Sequence, residues 1–235
     1  MAVEFPRQLG RVRHLAAGYG PNMAQQRDIA RTLVKRHGTT YAEQAGIKLA
    51  DKPSPLWQLL VLSLLLSARI SSDIAVAAAR ELNRAGYRTP KAMREATWQQ
   101  RVDALGRGNY RRYDEGTSTM LGECAEFAIE RYDGDLRRLR ADADGAKGVA
   151  KLLQEFKGIG PTGAMIFCRE VQGEWTELAP FVDKLAAKGA ERLGIATSPD
   201  RLAALVPGKD LPRLVAGCVR AARDKSVVED VRDAA

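Results

Sequence analysis

Residues 152–164 read LLQEFKGIGPTGA, and their order decides how the rest of the chain is read. Leu152 and Phe156 belong to an amphipathic turn, Gly158 and Gly160 bracket Ile159, and Pro161 stands where a second helix begins. The first helical position tolerates a missing N–H, so a proline there opens a helix rather than breaking one. The spacing therefore predicts helix–hairpin–helix. Glycines permit positive φ and close approach, so successive amides and the free N-terminus of the second helix converge on one phosphate oxygen. Such a hairpin grips a DNA backbone without reading its sequence. Lys151 and Lys157 add positive charge beside it, and Ile159 is expected to plug the core. An ordinary helix corner with a glycine turn fits the same pattern, and the motif alone leaves both readings open.

Outward from the hairpin, helix signals recur and β alternation is scarce. Asn22 to His37 carries Met23, Ile29, Leu33 and Val34 at helical spacing and ends at Gly38. Ser54-Pro55 opens a helix through Leu66, and Ser71-Ser72-Asp73 caps one from Ile74 to Ala85. Thr89-Pro90 and Thr97-Trp98 pair a hydroxyl cap with a helix-compatible residue. A longer helix spans 111–132, with Met120, Leu121, Phe127 and Ile129 near one face, and others span 145–156, 161–171, 183–193, 199–206 and 210–223. The expectation is an all-α protein of roughly ten helices. Helix signals lapse at Gly38–Pro53 and Ile195–Pro199. These seams suggest two packed helical subdomains with a cleft between them: residues 54–170, containing the hairpin, and residues 1–53 folding back with 171–235.

Composition narrows the function classes. The chain has 235 residues, 45% of them hydrophobic, enough for a sizeable core. Thirty-seven Lys and Arg against 29 Asp and Glu give +8, an excess that suits an anionic partner. The apolar run Leu59–Ala68 is about half a bilayer span, and MAVEFPRQLG lacks a signal-peptide core, so a soluble, cytoplasmic protein without membrane contact is expected. Cys124, Cys168 and Cys218 are widely spaced and His14 and His37 both lie near the start, so no local metal site or Ser-His-Asp triad is expected. The three cysteines read as buried structural thiols.

The hairpin followed by Ala179-Pro180-Phe181-Val182-Asp183 resembles the helix–hairpin–helix, Gly/Pro-rich loop and aspartate of the endonuclease III superfamily of DNA glycosylases. Leu59 to Asp73 (LLVLSLLLSARISSD) resembles that family's first core helix and Leu-Leu-Ser-Ala-Gln loop, and Gly108-Asn109-Tyr110 its Gly-Leu-Tyr loop. All stand in family order over about residues 54–195.

The resemblance implies that Asp183 faces the sugar of a flipped-out nucleotide in double-stranded DNA. There it stabilises the positive charge that develops as the N-glycosidic bond breaks, and it orients or activates the attacking water. Asp183 is equally placed to cap a helix starting at Lys184. The resemblance further implies a phosphate clamp of Lys157, Gly158, Ile159, Gly160, Pro161 and Thr162. Duplex-probing residues follow at Arg69, Asn109 and Tyr110, and Arg107, Arg111 and Arg112 look like backbone contacts. Arg69 also reads as a plain surface cation. Trp57, Tyr110, Tyr113 and Trp175 are candidates for base stacking or for the core.

Two departures shape the implied activity. Bifunctional members carry a lysine nucleophile where this chain has Thr162, and a threonine forms no imine. Lys184 is the nearest substitute but sits about 100° round the helix from Asp183, and reads as a solvated or phosphate-facing charge. Members with a 4Fe–4S cluster end in four closely spaced cysteines, whereas only Cys218 follows Gly194. The implied protein is a monofunctional DNA-repair glycosylase without cofactor or metal. The alternatives are a bifunctional glycosylase and AP lyase using another lysine, and a non-catalytic DNA-binding or damage-sensing module.

Overall fold

The computed structural model describes residues 21–235, and every regular element among them is helical. Residues 1–20, His14 among them, lie outside the described residues. Fourteen α-helices follow one another: α1 Met23–His37, α2 Tyr41–Gln44, α3 Pro53–Ser67, α4 Ser72–Arg84, α5 Pro90–Glu95, α6 Trp98–Arg107, α7 Asp114–Tyr132, α8 Leu136–Ala141, α9 Gly145–Leu153, α10 Pro161–Val171, α11 Lys184–Leu193, α12 Pro199–Ala203, α13 Leu211–Arg223 and α14 Lys225–Ala234. Two 3₁₀ turns, Thr176–Leu178 and Gly208–Asp210, interrupt the longer connections.

Local chemistry sets most helix starts. Asn22 and Thr97 form reciprocal capping boxes with Gln25 and Gln100, and the Ser71 and Thr89 oxygens accept from the amides of Asp73 and Ala92. The expected start at Ser54-Pro55 moves to Pro53, because Ser54 Oγ donates instead to the Arg88 carbonyl at 2.8 Å. The segment expected as helix over 145–156 leaves α-geometry after Leu153, where the chain tightens into the hairpin. The long helix starts at Asp114 rather than 111, and its buried stripe is Leu121, Cys124, Ala125, Ala128 and Tyr132. Helices α2, α8 and α14 lie where no helix is expected from periodicity, being short, arginine-rich or valine-rich.

The centre of the fold is α3, buried from Leu56 to Leu66 except at Gln58. A helix apolar on all sides needs neighbours on all sides; α4, α8 and α10 supply them. Helices α5, α6 and α7 pack outside α4, fastened by Arg101, whose buried guanidinium donates to the carbonyls of Met93, Ala96 and Ser118. A second group consists of α1, α11, α13 and α14, with α10 touching both α3 and α13. Gly189 lets α11 and α13 approach closely: a Cβ there would stand 1.7 Å from the Cys218 carbonyl oxygen. On α14, Asp230 receives Arg36 at 2.5 Å and His37 at 2.8 Å from the end of α1. One hydrophobic cluster runs through both groups.

All three cysteines are buried, in α7, α10 and α13, and burial pushes each thiol up to about 12. Among the described residues no group of His, Cys, Asp and Glu is assembled to hold a metal ion. The thiols sit on three different helices, so they do not fit the ligand set of an iron–sulfur cluster. No helix among the described residues is long and apolar enough to cross a membrane.

Candidate nucleic-acid interface

The hairpin joins α9 to α10 and is built from both sides. Phe156 and Ile159 are buried, with the Phe156 ring edge-on to Phe127 at 4.8 Å and stacked at 6.0 Å on Tyr132. Cys124 Sγ donates to the Lys157 carbonyl at 3.0 Å, tying the turn to α7. Gly158 has φ +82°, and a Cβ there would stand 2.5 Å from Met120 Sδ. At Gly160, the N-cap of α10, a Cβ would meet nothing within 4 Å. The protein's own packing therefore does not demand a glycine at Gly160.

Among the described residues, the N–H groups of Gly158, Gly160 and Thr162 have no protein acceptor. Unpaired amides at a helix start attract an anionic oxygen. Pro161 and Thr162 are exposed at this start, and Lys157 is exposed beside it. Ile159 plugs the core as expected, with its side chain 3% exposed. The clamp expectation for it is corrected in part: its amide donates to the Phe156 carbonyl at 3.0 Å and is not a free donor, so its part is to shape the turn.

The end of α3 and the residues after Asn109 come near this hairpin through Leu64 and Met120. Gly158 touches Leu64 near the end of α3, and Arg69 is exposed in the next connection. Met120, which covers Gly158, also lines a cavity of about 500 Å³ with Arg111, Arg112 and Tyr113. Asn109 is exposed at φ +61° on the tip after α6, a conformation asparagine tolerates well. Tyr110 is a second correction: it is 0% exposed and packs near Tyr113, so it anchors the tip from inside and offers no face to a base. Trp57 and Trp175 are likewise fully buried core residues. Arg107 pairs with Glu81 at 3.4 Å, while Arg112 lies over the Tyr113 ring at 5.3 Å.

Asp183 is the N-cap of α11, its Oδ1 accepting from the Ala186 amide at 2.8 Å. Its Oδ2 is paired with Arg169 Nη1, and the two side chains are 10% and 3% exposed. Sequence reasoning missed this arginine. The available signal is the pair Arg169-Glu170 inside the otherwise apolar segment 163–171, since buried charges need partners. Glu170 finds the amide of Ala42 at 2.9 Å, and its burial pushes its carboxyl above the usual range. Gln172, also missed, exchanges two hydrogen bonds with the Phe181 backbone and holds the loop before Asp183, which contains the cis peptide Ala179-Pro180. Residues 162 and 169 are seven apart on α10, hence on one face. Arginine side chains on a helix lean toward its N-terminus. Lys184 is exposed at the first turn of α11.

No protein-family model matches the chain, and no curated protein matches it. Solved structures do. One is a trapped endonuclease III–DNA covalent intermediate (estranged-adenine complex), and another is a non-covalent endonuclease III–DNA complex. Each superposes with a TM-score of 0.52 at 15% identity, covering 85% of this chain and 85% of the other. The fold is endonuclease III-like. At this identity the likeness concerns backbone architecture alone.

Proposed function

We propose that this protein is a DNA base-excision glycosylase of the monofunctional type, hydrolysing the N-glycosidic bond of a flipped damaged or mismatched base in duplex DNA. The observation that carries the reading is the row of unpaired amides at Gly158, Gly160 and Thr162, set beside exposed Lys157 at the mouth of α10. That row holds a backbone phosphate, and Asn109 and Arg69 probe the duplex nearby. Asp183 supplies negative charge to the sugar as the base departs. A carboxylate has about four lone-pair positions, of which the Ala186 amide and Arg169 use two. The absence of an amine at Thr162 supports hydrolysis over imine formation. The test is a base-release screen over defined duplex lesions, wild type beside Asp183→Asn. Release by wild type that leaves abasic sites cleaved only on later alkali, with none from the variant, is the expected result.

The Arg169–Asp183 pair favours a second reading. A guanidinium bound to the carboxylate offsets the charge that the developing sugar cation needs. In that case the protein is a DNA-binding or damage-sensing module. Tight binding of lesion duplexes by wild type and Asp183→Asn alike, with no base released by either, selects it over the glycosylase.

A further inference from the structure

A cavity of about 590 Å³ lies between the start of α3 and the end of α4, remote from the hairpin. Its polar lining includes Lys48, Ser54, Gln58, Arg80, Arg84 and Arg88, and it contains no carboxylate and no aromatic ring. Arg84 pairs with Glu81. Among the described residues Lys48, Arg80 and Arg88 form no ion pair. Two of these cations are oriented. Arg80 Nε donates to the Gln44 carbonyl at 2.6 Å and Arg88 Nε to the Asn83 carbonyl at 2.8 Å, and among the described residues the Nη ends of both guanidiniums meet no acceptor. The Arg88 backbone is itself held by Ser54 Oγ, which also accepts from Gln58 at 3.1 Å. Fixing an arginine in place lowers the entropy lost when it binds an oxyanion, and a concave wall of one sign concentrates the field.

Location separates this cavity from the hairpin. A Cβ on Gly158 would stand 3.4 Å from Leu64 and one on Gly163, in the first turn of α10, 3.5 Å from the Ser63 carbonyl oxygen, whereas the cavity meets α3 at Ser54 to Gln58, about 12 Å back along the axis. Arg80 and Arg84 lie about 12–18 Å along α4 from its start beside the Arg69 loop.

We propose that this cavity is a second phosphate-binding site, taking a polyanionic phosphate ligand by charge, since its lining is cationic and offers a base no aromatic ring to stack on. The phosphates come either from the backbone of a further nucleic-acid segment or from a free polyphosphate. The inference stands apart from the base-release reading. The test is calorimetric titration of the whole protein with inorganic tripolyphosphate, using wild type, Arg80→Ala/Arg88→Ala, Lys48→Ala and the hairpin variant Lys157→Ala. Saturable binding by wild type and Lys157→Ala, weakened about tenfold or more in the double variant and less in Lys48→Ala, is expected. A thermal melt of each variant, whose altered side chains are exposed, checks that the fold is retained. A second arm measures energy transfer between two differently labelled short duplexes. Bridging that the double variant loses identifies nucleic acid as the source, and tripolyphosphate binding without bridging identifies a free phosphate compound. No saturable tripolyphosphate binding by wild type, or equal affinity in the double variant, overturns the proposal.

Discussion

At the scale of single residues, the centre of interest is a carboxylate with three commitments. Asp183 caps α11, binds Arg169 and, as proposed, serves the sugar. Asparagine caps helices as well as aspartate, so Asp183→Asn keeps the start of α11 while removing the charge. Base release is expected to fall by about 10²-fold or more, with duplex affinity within about twofold. Single-turnover kinetics and fluorescence anisotropy measure the two. Arg169→Met removes one partner of a buried pair and is expected to cost about 3–5 kcal/mol of stability, read by urea unfolding. Adding Asp183→Asn to that variant is expected to recover about 1–3 kcal/mol, because the stranded carboxylate is then neutral. Additive losses in this cycle would mean the two side chains do not interact. The position of Asp183 was legible from the loop before it. Its partner was not, because Arg169 and Glu170 are both buried, and which of them meets Asp183 depends on how α10 meets the α11 start.

At the scale of elements, close approach between helices sets the sensitive positions. Gly189→Ala forces α11 away from the Cys218 carbonyl, and this overpacking is expected to cost about 3 kcal/mol, visible as a lowered melting temperature. The hairpin gives a functional counterpart. Lys157→Ala is expected to weaken duplex binding evenly across sequences and to reduce the slope of log affinity against log salt by about one, measured by anisotropy from low to high salt. An unchanged slope would remove Lys157 from the backbone contact. Helix starts were readable from the sequence because caps and prolines act within one turn. The docking of α14 was not, since Val227, Val228 and Val231 gain their helical role by packing in the common core while Asp230 meets Arg36 and His37.

At the scale of the whole molecule, two packing groups meet along α10, and we propose that they are the two subdomains, with α10 as their shared wall. The common core makes a pH prediction. Each buried thiol has its value raised to about 12 in the fold, against about 8.5 in an unfolded chain. The native state therefore holds protons that the unfolded state gives up. Stability from these groups is complete below about pH 8.5 and is lost as pH climbs toward about 12, by up to ~1.4 kcal/mol per pH unit for each thiol. Urea unfolding at a series of alkaline pH values checks the slope. Replacing the three cysteines by alanine is expected to flatten it.

The helical class, most of the helix starts and the glycine hairpin were determined by the sequence alone, because capping, proline geometry and 3.6-residue periodicity act over a few neighbouring residues. The tertiary structure decided what no local rule reaches. It turned Tyr110 into an internal anchor, spent the Ile159 amide inside the turn, drew the Arg101 guanidinium among three carbonyls, and set Arg169 against Asp183 fourteen residues away. Burial and charge pairing belong to surfaces that meet only when distant segments pack, and their energies depend on the water that packing removes.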